Sequence, residues 1–299
     1  MDRLLRKKLV NISSCVLFSI TVYSFLAGVG QAATPSCTSA TTLTTLYDST
    51  GSNQCTLTPD TVALDVYQFA LCTSAPSIAN TGNCDFLLNS TTPTRLNLSA
   101  GLTGSLSGAS LAELGQKVYT HVMLVIENSV QFRTTFTFDT AQYGYDGTSG
   151  TSCWTNGQSN GFLTAAASDN SITCGANPAP SLTQYSYPYF GAAGTYTASV
   201  SLSGKTNTYS LIRGPVPSTL ATSSVNGSHI QVSQLMPASL DLTVADLANL
   251  NVNISFMVTD AAKLTFYADP TAGTYCALAN IPCVGNIEVN FLDVIVTSQ

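Results

Sequence analysis

The chain has 299 residues, 44% of them hydrophobic and only 9% charged, with a formal net charge of −6. Globular chains ordinarily carry about 25% charge, so this surface must be built from Ser, Thr, Asn, Gln and backbone. The apolar content excludes a disordered tail protein, and ten basic residues against sixteen acidic ones give nucleic-acid binding little counterion release to exploit.

The chain opens with Arg3, Arg6, Lys7 and Lys8, followed by a mostly apolar run from Leu9 to Val29 and then Gly30-Gln31-Ala32. Residues 1–32 read as a secretory signal peptide cut after Ala32. The rival reading is a retained anchor, since the run is near spanning length. Small residues at Gly30 and Ala32, where a peptidase would need them, favour cleavage. The mature chain would keep six basic and fifteen acidic residues, a side-chain charge of −9. No later stretch is apolar enough to span a bilayer, so no membrane span is expected after cleavage.

Nine cysteines less Cys15 of the leader leave eight, which after a signal peptide read as a disulfide framework. Eight cysteines allow about 105 connectivities. Neighbour pairing is the simplest: Cys37–Cys55, Cys72–Cys84, Cys153–Cys174 and Cys276–Cys283, each closing a short polar loop. There is no C-x-x-C, and His121 and His229 are the only imidazoles. No metal site and no cofactor are expected.

Beyond the leader, Thr61–Cys72 is long, apolar and β-rich, with a change of apolar face that suggests a bulge. Ser110-Leu111-Ala112-Glu113 is a capping-box pattern that Gly115 stops after one turn. Lys117–Glu127 and Gln131–Phe138 read as a hairpin. A two-residue turn at Asn128-Ser129 would place Leu124 opposite Arg133 and His121 opposite Phe136, mixing the faces, whereas an odd-length loop places Ile126 by Phe132, Leu124 by Thr134 and Val122 by Phe136. Lys117, Tyr119, His121, Glu127, Gln131 and Arg133 would then share the solvent face, since a one-residue slip swaps whole faces.

The stretch 144–194 is rich in Gly, Ser, Asn and Pro and reads as a loop-rich excursion or boundary. Alternation returns at Tyr196, Ala198, Val200 and Leu202, at Leu240, Leu242 and Val244, and at Val252, Ile254, Phe256 and Val258. A second helical turn is expected within Leu242–Leu250. Ile287–Val296 is again long and apolar, and is expected beside Thr61–Cys72. Such runs are strand chemistry of antiparallel sheets. The expected fold is all-β with very little helix: two packed antiparallel β-sandwich units stapled by local disulfides. Residues 33–143 would form the N-terminal sandwich and 195–299 a C-terminal β-rich domain, whose last strand packs with the first.

Catalytic patterns are weak. Gly-x-Ser-x-Gly is absent. His121 reads as an exposed strand residue and His229 as the start of another strand. Gly204-Lys205-Thr206 has Ser199 where a phosphate-binding loop needs glycine, and reads as a hairpin turn. Asp139 with Asp146, and Asp241 with Asp246, read as solvated or turn-forming carboxylates. Asn89, Asn97, Asn226 and Asn253 each head a glycan-acceptor triplet. Tyr143, Tyr145, Trp154, Tyr185, Tyr187 and Tyr189 are the candidate ligand-binding residues, because Tyr and Trp give rigid amphipathic contact area. Their alternative role is to plug a loop-rich flank of the sandwich.

Export signal, few charges, many Ser and Thr and local disulfides are similar to bacterial surface β-sandwich proteins. That is a likeness of fold and not of activity. The expectation is a secreted or cell-surface structural or adhesive protein without catalytic activity. The alternative is an extracellular module binding a glycan or other ligand through its Tyr/Trp loops. Expected partners are copies of itself by strand addition, or other surface proteins and glycans.

Overall fold

The computed structural model describes residues 34–43, 45–46, 53–99, 114–161, 171–190, 193–202, 205–243, 252–267, 282–289 and 293–298. The expected leader, the turn at residues 110–113, most of Leu242–Leu250 and Cys276 lie outside them. Strand accounts for 60% of the described residues and helix for 2%, against roughly a third helix in ordinary proteins. Among these residues no helix is long and apolar enough to cross a membrane.

Seventeen strands follow in chain order. They are β1 (Gln54–Leu57), β2 (Thr61–Cys72), β3 (Cys84–Ser99), β4 (Val118–Glu127), β5 (Val130–Arg133), β6 (Thr135–Tyr143), β7 (Ser149–Thr155), β8 (Ser159–Gly161) and β9 (Ile172–Gly175), then β10 (Thr183–Ser186), β11 (Thr197–Leu202), β12 (Lys205–Ile212), β13 (His229–Asp241), β14 (Val252–Met257), β15 (Ala262–Tyr267), β16 (Cys283–Val289) and β17 (Asp293–Ser298). The largest sheet runs β11-β12-β13-β4-β2-β5-β10-β8, with β3 also paired to β2. Three smaller sheets are β1-β15-β16, β6-β7-β9 and β14-β17. One core draws Phe69, Leu124 and Tyr209 from the large sheet, Leu264 and Val284 from β1-β15-β16, and Phe138 and Ile172 from β6-β7-β9. The fold is thus all-β, antiparallel and sandwich-like, with a parallel exception at β8–β10.

The expected hairpin of Lys117–Glu127 with Gln131–Phe138 does not form. β4 lies between β2 and β13, while β5 pairs with β2 and β10. The reason is the length of β2. Its residues 66–72 take β4 and its residues 61–63 take β5, end to end along one edge. The link between them is fixed by Asn128, whose side-chain amide donates to Tyr187 O at 2.8 Å and Gly227 O at 2.7 Å. Its carbonyl accepts from Tyr187 N–H at 2.8 Å. The apolar face read from the sequence is real: Val122, Leu124, Ile126 and Phe132 all enter the main core. The opposite face is solvent only in part: Lys117 and Arg133 are exposed, but His121, Glu127 and Gln131 are half-buried. Tyr119 is buried in the main core, and Met123 and Val125 join a second, smaller core with Ala70, Cys72, Ile212 and Val216.

That second core is roofed by two loops, residues 73–83 and 213–222, joined by Ser218 N–H donating to Ile78 O. Gln68, buried in β2, fastens the roof: its amide donates to Val216 O and Asn89 Oδ1, both at 2.8 Å, and accepts Val216 N–H at 2.7 Å.

The C-terminal run Ile287–Val296 is two strands and does not lie beside β2. Here β16 pairs with β15 and β17 with β14. Residues 34–299 cluster as one compact unit. The largest sheet takes β2–β5 from before residue 144 and β11–β13 from after residue 194, so the two expected domains share a sheet.

Three of the expected disulfides are present: Cys37–Cys55, Cys72–Cys84 and Cys153–Cys174. Two of them join residues directly opposite in register, Cys72 with Cys84 across β2–β3 and Cys153 with Cys174 across β7–β9. Cys283 is also disulfide-bonded.

Candidate functional site

The six expected aromatic residues lie on several elements: Tyr143 on β6, Trp154 on β7, Tyr185 on β10, and Tyr145, Tyr187 and Tyr189 in the loops beside them. Tyr185 and Tyr187 meet edge-on at 5.0 Å, Phe190 stands 5.4 Å beyond and Tyr209 a further 6.1 Å. This ladder packs against the main core. Burial, with Glu288 and neighbouring tyrosines adding to it, pushes the Tyr185 and Tyr187 hydroxyls well above the ordinary phenol range. Trp154 is 8% exposed and lies against Gly175, where an added Cβ would meet its ring at 3.0 Å. Tyr143 is exposed, Tyr145 meets Tyr267 edge-on at 6.2 Å, and Tyr189 is half-buried. Tyr185 and Tyr187 are half-buried, and their edge-to-face geometry is that of packed aromatic pairs.

The titratable groups gather elsewhere, as a strip on the large sheet. Arg95 pairs with Asp65 at 2.6 Å and donates to Gln131. Glu127 lies opposite His229 in register, and the Tyr67 ring meets His229 edge-on at 4.6 Å. Burial raises the Glu127 pKa, Asp65 adds to the rise and Arg95 opposes it. Burial lowers the His229 pKa. His229 Nδ1 is 2.8 Å from Ser228 Oγ, and its Nε2 is buried. Among the described residues that Nε2 has no hydrogen-bond partner. His121 is half-buried rather than exposed, with Nδ1 2.8 Å from Thr120 Oγ1 and a pKa lowered by burial.

Asp146 and Asp139 serve the fold. Asp146 Oδ1 accepts the Thr148 N–H at 3.1 Å and Oδ2 accepts the Thr173 hydroxyl at 2.8 Å, closing the β6–β7 turn. Asp139 donates its backbone N–H to Ser39 O, Asp241 is exposed at the end of β13, and Asp246 lies outside the described residues. Leu202 pairs with Lys205 and Ser201 with Thr206, so Lys205 and Thr206 begin the second strand of an antiparallel pair; Gly204 lies outside the described residues. Among the described residues no group of three His, Cys, Asp or Glu side chains could hold a metal.

The cleft of interest lies beside the second core. Its volume is about 340 Å³, and loop residues Ala75–Ile78 face strands β11, β12 and β13 across it. Strand alternation builds the floor. Tyr209, Leu211, Ile230 and Val232 point into the main core, so Thr208, Ser210, Gln231 and Ser233 must point the other way. Register then sets Ser210 opposite both Thr197 and Gln231, and Thr208 opposite Ser233. The floor is thus a ladder of hydroxyls around one amide. Gln231 is 3% exposed and its Nε2 donates to nothing. Every side chain lining the cleft is uncharged.

These floor residues carry no motif. Gln231 reads from the sequence as one polar position in an alternating strand, and the loop that roofs it arrives from more than a hundred residues away. Only the Cys72–Cys84 spacing hints that residues 73–83 form a fixed structure. No protein-family model, no curated protein and no solved structure matches this chain.

Proposed function

We propose that the chain is an exported structural or adhesive β-sandwich protein of the cell surface that works by contact and not by catalysis. The observation that supports it is covalent locking of sheet register. Disulfides at Cys72–Cys84 and Cys153–Cys174 join directly opposed residues of neighbouring strands. Such bonds are compatible with an oxidising compartment, and they suit a protein that must hold its shape outside the cell. The low charge and the basic, then apolar, start of the chain agree with export. Its partners would be other surface proteins, glycans or copies of itself. Strand addition would have to use an edge other than β3, where Pro93 and Arg95 are the residues that blunt pairing.

Fractionation of cells producing the full chain tests the reading. A membrane-impermeant biotin reagent should label it on intact cells, its amino terminus should begin near Ala33, and its cysteines should resist alkylation without reduction. Recovery in the cytoplasm with alkylatable thiols overturns it.

A further inference from the structure

We infer that the cleft between residues 75–78 and strands β11–β13 is a binding site for an uncharged sugar. Four observations converge. First, the volume of about 340 Å³ falls in the range of small-molecule pockets, roughly 300–1,000 Å³. Second, Gln231 Nε2 is buried without a partner. Leaving such a donor unpaired costs about 1–3 kcal/mol, and its neighbour Val125 on β4 offers only a hydrocarbon side chain. Gln231 lines the cleft, so a turn of its side-chain amide toward the cleft would let a ligand oxygen satisfy it.

Third, the floor presents hydroxyls from Thr208, Ser210 and Ser233. A hydroxyl both donates and accepts, as do the hydroxyls of a sugar, so pairing needs no fixed polarity on either side. Fourth, Pro76 and Ile78 give the opposite wall an apolar surface, which a pyranose meets with its C–H face. A charged ligand would find no counter-ion in this lining and would lose its hydration uncompensated. The cleft thus selects for neutral ligands.

The roof is anchored independently of any ligand. The Cys72–Cys84 disulfide closes its base and Ile78 O accepts the Ser218 N–H. Pre-organisation of this kind lowers the ordering cost of binding. This cleft is a site apart from the half-buried tyrosines Tyr185 and Tyr187. A sugar held there gives the surface reading a ligand, but its binding is tested on purified protein. Failure of the binding experiment leaves the fractionation result untouched, and the reverse also holds.

The test uses the disulfide-intact mature chain, labelled with nitrogen-15. Glucose, galactose, mannose and N-acetylglucosamine are each titrated to tens of millimolar, with N-acetylneuraminic acid as the charged control. At least one neutral sugar should shift the Gln231 side-chain amide together with the backbone amides of Ser210 and Ser233, and the charged control should not. Gln231→Met keeps length and loses the donor, so affinity should fall about tenfold or more, equivalent to about 1.4 kcal/mol, with the melting temperature unchanged. If that variant fails to fold, Ser233→Ala and Thr208→Val, at more open positions of the floor, should each weaken binding. No shift with any of the four sugars overturns the inference. So do shifts mapping elsewhere, equal binding of the charged control, or undiminished binding in the cleft variants.

Discussion

Asp85 sits where three donors converge. The Lys117 ammonium reaches its two oxygens at 2.8 and 2.9 Å, the Tyr119 hydroxyl donates to Oδ2, and the Gly115 N–H stands 3.3 Å away. Burial alone would raise its pKa, but the bonds from Lys117, Tyr119 and Gly115 together outweigh that and hold it below the ordinary 3.8. Burial and the Asp85 carboxylate push the Tyr119 hydroxyl up to about 12. A carboxylate with a lowered folded pKa contributes stability above its unfolded pKa and loses it as pH falls through the folded one. Asp85→Asn should therefore lower stability by about 1–2 kcal/mol at neutral pH, a figure reduced for partial exposure. The variant should also show a flatter stability profile than the native chain below pH 3.8. Denaturant titrations at pH 7 and pH 2.5 measure both effects. Equal losses at the two pH values would show that the carboxylate charge does not matter.

At the level of elements, β16 covers part of the main core. Ile287 and Val284 of β16 are fully buried in the main core. Ile287 N–H donates to Ser171 Oγ at 3.2 Å, and that buried hydroxyl lies 3.1 Å from Asn286 Oδ1. Removing residues 286–299 takes away these bonds, half of β16 and all of β17. The truncated chain should lose cooperative unfolding and resistance to protease, whether or not the native protein self-associates. A folded truncated chain would mean that β15 needs no such cover. The strands themselves are legible in the sequence. Residues 61–72 read as a strand and are one, because a period of two is a local property. Pairing is not local. Nothing in 117–127 marks that its neighbours are β2 and β13, more than a hundred residues apart in sequence, so sequential adjacency suggests a hairpin that the buried Asn128 link forbids. The Ile287–Val296 run fails for the same reason: its apolar composition is visible, but not the break that sends β16 and β17 to different sheets.

At the scale of the whole molecule, the described residues form two cores on opposite faces of one sheet, and the buried Gln68 amide holds the 213–222 loop over the smaller one. Replacing Gln68 by Leu would leave the Val216 N–H and C=O unpaired beneath the roof. Two such groups should together destabilise the fold by about 2–4 kcal/mol. Limited proteolysis should then cut first within 213–222, at a protease concentration the native chain survives. An unchanged digestion pattern would place the anchoring of that loop elsewhere. Composition foretells the class of this molecule, since few charges and paired cysteines require a polar neutral surface and local staples. It does not foretell the second core. Met123 and Val125 alternate with Val122 and Leu124, so the strand is apolar on both faces. Two-sided burial is the right reading of such a strand, but what covers the second side comes from residues 73–83 and 213–222, which look like ordinary loops.

The Cys72–Cys84 bond has a mechanical consequence. Tension carried along the backbone into Cys72 crosses the sulfur bridge and leaves from Cys84, so the residues between them stand outside the load path. With a sequence separation of 12 and roughly 3.3–3.6 Å of extended chain per residue, about 40 Å of extension is withheld. The shielded segment includes Ala75–Ile78, the wall of the cleft facing β11–β13. When neighbouring strands are pulled toward separation, this wall remains tied at its base, so the chain can bear tension through its sheets without drawing that segment straight.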